Sequence, residues 1–195
     1  MSQPHMNDKK IISRQLSQAP QGLVGVPLGR TPQGLTDIAH RCRFGYPTVI
    51  MAKPLVRRGE KFDLFPTLYW LSCPRRVEAV TKIEAEGYTS KLEKELNSDD
   101  ALKEEYESEM ENYTRQQEEL LLEDDRRFIE THGLEEALSG GIGVRGDLGR
   151  LKCLHLHLAH HLAEENVIGE ILIRRFQLDD CSSEDVICDG LAKEG

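Results

Sequence analysis

Phe65-Pro66-Thr67-Leu68-Tyr69-Trp70-Leu71-Ser72-Cys73-Pro74 is the stretch in which the chain changes period. Its first part is aromatic and β-branched and reads as a strand. Cys73-Pro74 then reads as a helix start, because a proline at the first helical position gives up only a donor that has no partner there. Val77, Val80 and Ile83 follow at helical spacing, and Gly87 is placed to close the helix. A strand that runs straight into an amphipathic helix predicts a mixed fold.

Upstream, Thr48-Val49-Ile50-Met51 reads as a second strand, with Arg57-Arg58-Gly59-Glu60 as a turn signal between the two. The pair is expected to be antiparallel. The N-terminal part is rich in proline and glycine, and Pro20-Gln21-Gly22-Leu23 recurs as Pro32-Gln33-Gly34-Leu35. Two copies of four residues are too few for a repeat architecture, so each reads as a turn leading into an extended segment. Met1 to Lys10 is polar, with no apolar run behind it to make a signal peptide. Residues 1–12 are read as a disordered tail.

Downstream, Leu92 and Leu96 suggest a short helix, and Ser98-Asp99-Asp100 offers an N-cap with acidic groups facing the helix dipole. A long acidic helix is expected over 98–131. Leu102, Tyr106, Met110, Tyr113, Gln117, Leu120 and Leu121 form its single apolar stripe. The stripe is expected to pack on the preceding helices as a hairpin, with docking of a protein partner or a homodimer through it as the alternative. His132-Gly133 ends the helix, a short helical piece follows, and Ser139 to Gly149 reads as a glycine-rich loop. Leu151 to Ala163 reads as a buried helix, Val167 to Phe176 as a strand or helix, and 177–195 as a flexible C-terminal tail. Residues 13–176 then make a single α+β domain: a small N-terminal antiparallel sheet packed on a helical bundle, with a long acidic helical hairpin.

The formal net charge of -9 argues against a nucleic-acid partner, which is normally met by a basic face. No apolar run approaches the roughly 20 residues of a membrane span. The five cysteines are an odd number without secreted-type spacing, which suits thiols or metal ligands in a reducing cytoplasm better than disulfides. A cytoplasmic protein is expected.

Chemistry concentrates in Leu-Lys-Cys-Leu-His-Leu-His-Leu-Ala-His-His-Leu-Ala, residues 151–163. At about 100° per residue, Cys153, His157 and His160 share a face and His155 points away from it. His157 and His161 form an i, i+4 pair, a spacing that can place two imidazoles on one metal. His40, Cys42 and Cys73 lie upstream. A site of Cys42, Cys73, Cys153 and one histidine would suit zinc or an iron–sulfur cluster. Gly141-Ile142-Gly143-Val144-Arg145-Gly146 matches Gly-x-Gly-x-x-Gly, but a dinucleotide fingerprint needs a strand before it and a helical segment stands there instead. Arg145, Arg150 and Lys152 precede the next helix, where free amides favour an anion.

Three ordered motifs carry a resemblance. They are His40-Arg41-Cys42 with Gly45 and Pro47, then Phe65 to Pro74, then Lys152-Cys153-Leu154-His155 with Ala159-His160. In this order they resemble an uncharacterised bacterial family, domain of unknown function 501, over roughly Gly29 to Leu162. The resemblance implies no activity. It does single out Cys42, Cys73, Cys153, His40, His155 and His160, and it omits His157, His161, Cys181 and Cys188. Many relatives carry a second cysteine where this chain has Phe44.

Two functions from different classes follow. One is a metal- or cluster-binding protein, catalytic or not, with Cys42, Cys73, Cys153 and His160 as ligands and His40 and His155 as ligands, supports of the ligands or acid–base residues. The other is a non-enzymatic adaptor that docks through the acidic helical hairpin, with the cysteines as core residues; it requires separated thiols and an exposed stripe along Leu102, Tyr106 and Met110. A third, an enzyme acting on an anionic or phosphorylated compound, would need Arg41, Arg145, Arg150 and Lys152 to line one pocket.

Overall fold

The structure is a computed structural model and describes residues 34–59, 61–64, 67–138, 142–144 and 147–193. The expected tail at 1–12 and the near-repeat before residue 34 lie outside them. The strands are β1 (Leu35–Arg41), β2 (Pro47–Ala52), β3 (Leu55–Arg58), β4 (Lys61–Leu64) and β5 (Tyr69–Leu71). Strands β1, β2 and β5 form an antiparallel sheet in the order β1-β2-β5, and β3 pairs with β4 as a separate hairpin around the turn at Gly59.

Strand β2 is buried along its whole length, and its period of two explains how. Val49 and Met51 join Tyr69 and Leu71 in the main core, while Ile50 and Ala52 join Ile38 and Trp70 on the other face. The expected antiparallel pairing of the two apolar strands, β2 and β5, is found, with Ile50 opposite Trp70. Strand β1 takes the place of the extended segment expected to follow the second proline–glycine turn, from Leu35 on. Its sequence, Leu-Thr-Asp-Ile-Ala-His-Arg, is polar and interrupted by register shifts, so its hydrophobic alternation is weak.

The helices of the next part are α1 (Pro74–Ala85), α2 (Tyr88–Ser98), α3 (Asp100–Glu119), α4 (Glu123–His132) and α5 (Glu135–Leu138). Pro74 opens α1, Gly87 takes the left-handed conformation behind it, and Asp99 caps α3 by accepting from the amides of Ala101 and Leu102. The single helix expected over 98–131 is broken: Leu122 is extended, and α4 starts a new direction. The break lets Leu121, Phe128 and Ile129 cover Leu55 and Leu64 of the β3–β4 hairpin. Burying this apolar surface outweighs the intrahelical bonds that a straight helix would keep.

The stripe on α3 is not a free surface. Tyr106, Met110 and Tyr113 are buried in the main core, and the Tyr113 hydroxyl accepts the amide of Leu68. The exposed apolar face that the adaptor reading requires is therefore absent along Tyr106 and Met110.

The chain ends with β6 (Gly143–Val144), β7 (Asp147–Leu151), α6 (Leu154–Ala163), α7 (Val167–Phe176) and α8 (Ile187–Lys193). The expected loop at 139–149 contains a short hairpin, β6–β7, held on α2 by Asn97 to Gly149 and by Leu151 to Glu93. Helix α6 lies at the centre, against β5, α7 and α1. The stretch expected as a flexible tail instead folds back over the β1–β2 turn. There Leu178 and Cys188 are buried and Tyr46 donates to Asp189. No helix among the described residues is long and apolar enough to cross a membrane.

One contact in this frame carries a pH dependence. The amide of Val167, at the start of α7, donates to both carboxylate oxygens of Glu109 on α3, at 2.8 and 2.9 Å. Burial pushes the Glu109 carboxyl up to about 7. The Val167 amide opposes the shift, and Glu105, Glu165 and Glu170 add to it. A carboxyl raised in the fold is protonated there before it is in the unfolded chain, so stability falls as pH rises from about 4.5 to 7. Glu109→Gln keeps an acceptor without the charge. It is expected to stabilise by about 1 kcal/mol above pH 7, after discounting for solvent screening, and to do little below pH 5. Thermal melts at the two pH values check this.

Candidate metal centre

Helices α1 and α6 bring three ligating side chains together. Glu84 lies in the last turn of α1, where a carboxylate opposes the helix dipole. It stays because α6 supplies partners: the Leu154 amide donates to Oε1 at 2.6 Å, and His155 Nδ1 lies 3.3 Å from Oε2. Cys153 Sγ is 3.5 Å from the same Nδ1. The three ligand atoms all lie within 4.8 Å of one another. On the other side of the ring, Nε2 is 3.1 Å from the Val77 carbonyl and 3.2 Å from Thr81 Oγ1. A carbonyl only accepts, so Nε2 carries the proton and Nδ1 is the atom turned toward sulfur and carboxylate.

Burial pulls the His155 pKa down, but the hydrogen bonds and charges of Cys153 and Glu84 outweigh it and raise the imidazole to about 9. For Glu84, burial pushes upward and is overcome by His155, the Leu154 amide and Cys153, which leaves its carboxyl below its ordinary value. Without a metal, the position between the three atoms is held by a proton on Nδ1. A metal would compete with that proton.

The helical wheel misplaced Cys153. Helix α6 begins at Leu154, and Cys153 is its extended N-cap with φ -161 and ψ 126. A residue outside the helix does not follow the 100° rotation, so the sulfur meets His155 rather than sharing a face with His157 and His160.

The other expected ligands stand elsewhere. Cys73 is the N-cap of α1, about 16 Å along the axis from Glu84. Burial raises its thiol pKa against the pull of the Arg76 and Arg75 amides. His40, near the end of β1, bonds to Thr48 through Nδ1; burial and the charge of Arg76 lower its pKa against Asp180. Cys42 lies in the β1–β2 turn, where its amide donates to the Tyr46 carbonyl. His160 is stacked on Tyr69, meets the edge of Tyr113, and accepts from the Asn166 amide at 3.2 Å. Burial, helped by His161, pushes it down to about 4. It is a neutral core histidine, as is His157, which burial and the charge of His160 push down to about 3. Arg41 reaches the Gly45 carbonyl, and Arg150 and Lys152 are exposed on and just after β7. Arg145 lies outside the described residues.

Glu84 was missed. The signal that was available is its position, an acid in the last turn of a helix where the dipole favours a base.

A family model described as "Protein of unknown function (DUF501)" matches residues 38–174. No curated protein and no solved structure matches the chain.

Proposed function

The chain belongs to that family, whose description names no activity, and from the site we propose that it is a metal-binding protein that holds one zinc ion on Glu84, Cys153 and His155. The spacing of the ligand atoms carries this reading. A tetrahedral zinc with bonds of about 2.0 Å to oxygen and nitrogen and about 2.3 Å to sulfur separates O from N by about 3.3 Å and N from S by about 3.5 Å. The observed separations are 3.3 and 3.5 Å. Zinc-bound histidines also tend to give their second nitrogen to a carbonyl, as His155 does to Val77. A mixed O, N, S set suits zinc better than an iron–sulfur cluster, which takes mainly thiolates. Three protein ligands leave the fourth position for water or a substrate.

The test is a zinc titration of chelator-treated protein, with cobalt as a spectroscopic stand-in. One equivalent of cobalt is expected to give a sulfur-to-metal charge-transfer band that is lost in Cys153→Ser. A hundredfold excess of zinc over its Kd is expected to add about 2.7 kcal/mol, or roughly 5–10 °C for a chain of this size. Binding that survives in Cys153→Ser and His155→Ala, or no binding at all, sinks the proposal.

A second reading rests on the same contact. Cys153, half-buried beside a protonated His155, is arranged as a thiol with an imidazole partner. Rapid alkylation of Cys153 that zinc does not slow would favour it over the metal.

A further inference from the structure

The opposite end of α1 holds a second cluster that the metal reading does not use. Arg76, in the first turn of α1, is a buried arginine with its side chain 7 % exposed. A guanidinium has five donors and cannot shed its charge, so burying it demands an anion and acceptors on every edge. Here the demand is half met. Nε donates to the Leu178 carbonyl at 3.0 Å, and Nη2 lies 3.1 Å from Asp180 Oδ1. That contact is an ion pair without hydrogen-bond alignment, since Oδ1 makes no hydrogen bond among the described residues. Nη1 is fully buried and has no hydrogen-bond partner among the described residues. The other Asp180 oxygen accepts the Arg43 amide at 2.9 Å, in the turn that follows His40 and Cys42.

A carboxylate that takes one arm of the fork and leaves the other empty is a poor match for arginine, whose geometry favours two parallel bonds. The residue that supplies it comes from a segment held by polar contacts, among them the Arg43 guanidinium donating to the Cys181 carbonyl, rather than by buried apolar ones. Between Leu178 and Cys188 no residue is buried, and the stretch Asp179 to Asp185 is polar throughout apart from Cys181. Few buried apolar contacts mean a low cost of local opening. The matched family region ends at residue 174, so Arg76 and Arg43 lie inside it and Asp180 lies beyond it.

We infer that Arg76 and the Arg43 amide form an anion-binding site for a phosphate group, which this chain fills with its own Asp180. A phosphate presents enough oxygens to take Nη1, Nη2 and the Arg43 amide together, which the single carboxylate does not. Asp180 acts as a tethered competitor at a millimolar effective concentration, so free phosphate binds the intact chain weakly and binds well when the competitor is removed. This site is independent of the zinc proposal, because Arg76 and Glu84 stand at opposite ends of α1.

The experiment is thermal unfolding of full-length Asp180→Ala with increasing inorganic phosphate. Acetate and chloride at matched ionic strength serve as comparators, and the wild type and Asp180→Ala/Arg76→Gln as controls. Asp180→Ala is expected to melt lower than wild type and to recover saturably with phosphate, with an apparent affinity about ten-fold or more tighter than that of wild type. The double variant is expected not to recover. Equal responses in all three proteins, which would mark a general salt effect, or no saturable response in Asp180→Ala, overturn the site. Recovery with acetate alone overturns the phosphate assignment. Should Asp180→Ala fail to fold, Asp180→Asn keeps an acceptor for Arg43 without the charge, and calorimetric titration with phosphate gives the same decision.

Discussion

Glu84→Ala is expected to destabilise the metal-free protein by about 3 kcal/mol near pH 6, the lower end of what removing one partner of a buried pair costs. His155 is 5 % exposed and its imidazolium has the Glu84 carboxylate as its charge partner, with Cys153 beside it. Without the carboxylate, the ring gives up its proton rather than keep an unpaired buried charge, which limits the loss. The amide of Leu154 also loses its acceptor at the start of α6, worth about 1 kcal/mol. The pH dependence separates the two contributions. His155 is raised to about 9 in the fold, above an ordinary value near 6.5. Its contribution is therefore fully present below about pH 6.5 and is lost as pH rises through 9. Denaturant unfolding in chelator at pH 6 and pH 10 should show the gap between wild type and Glu84→Ala shrinking toward the cap alone. A gap that stays constant would mean that the His155–Glu84 pair contributes nothing.

Gly169→Ala is expected to cost about 3 kcal/mol, although alanine is the better helix former by about 1 kcal/mol. A Cβ on Gly169 would lie 2.3 Å from His161 Cβ and 2.5 Å from the His157 carbonyl oxygen. Neither is the tip of a flexible side chain, so α6 and α7 would have to separate. That would loosen the packing of Leu158, Ile168 and Leu172, all at 0 % exposure. The melting temperature should fall by roughly 6–12 °C. Gly190→Ala is the control: among the described residues its Cβ meets nothing within 4 Å, and only a small gain in helix propensity is expected. A Gly169→Ala protein as stable as wild type would show that α6 and α7 can slide without loss.

The elements legible from sequence are those whose signal is local. Pro74 at the start of α1, Asp99 at the cap of α3, and Gly87 and Gly133 behind their helices each act within a turn of their own position, so neighbouring residues suffice to read them. Strands β2 and β5 were legible because both are apolar and β-branched or aromatic, a composition that suits a buried pleated surface. The resemblance to the family rested on the same kind of contiguous motif. Cys153 and His155 were legible as candidates, since they stand two residues apart in one of those motifs.

The elements that were not legible depend on partners far along the chain. The break at Leu122 exists because Leu55 and Leu64 need cover, and the C-terminal stretch is ordered by Arg76 and Tyr46, more than a hundred residues upstream. The same holds for the candidate metal centre. Its third member, Glu84, is 69 residues before Cys153 and has no motif of its own; it joins the site because α1 and α6 pack together. Local propensity and capping operate over the few bonds a residue makes with its neighbours, whereas burial and ion pairing are paid for in three dimensions, and only the packed chain reveals which charged groups end up facing one another.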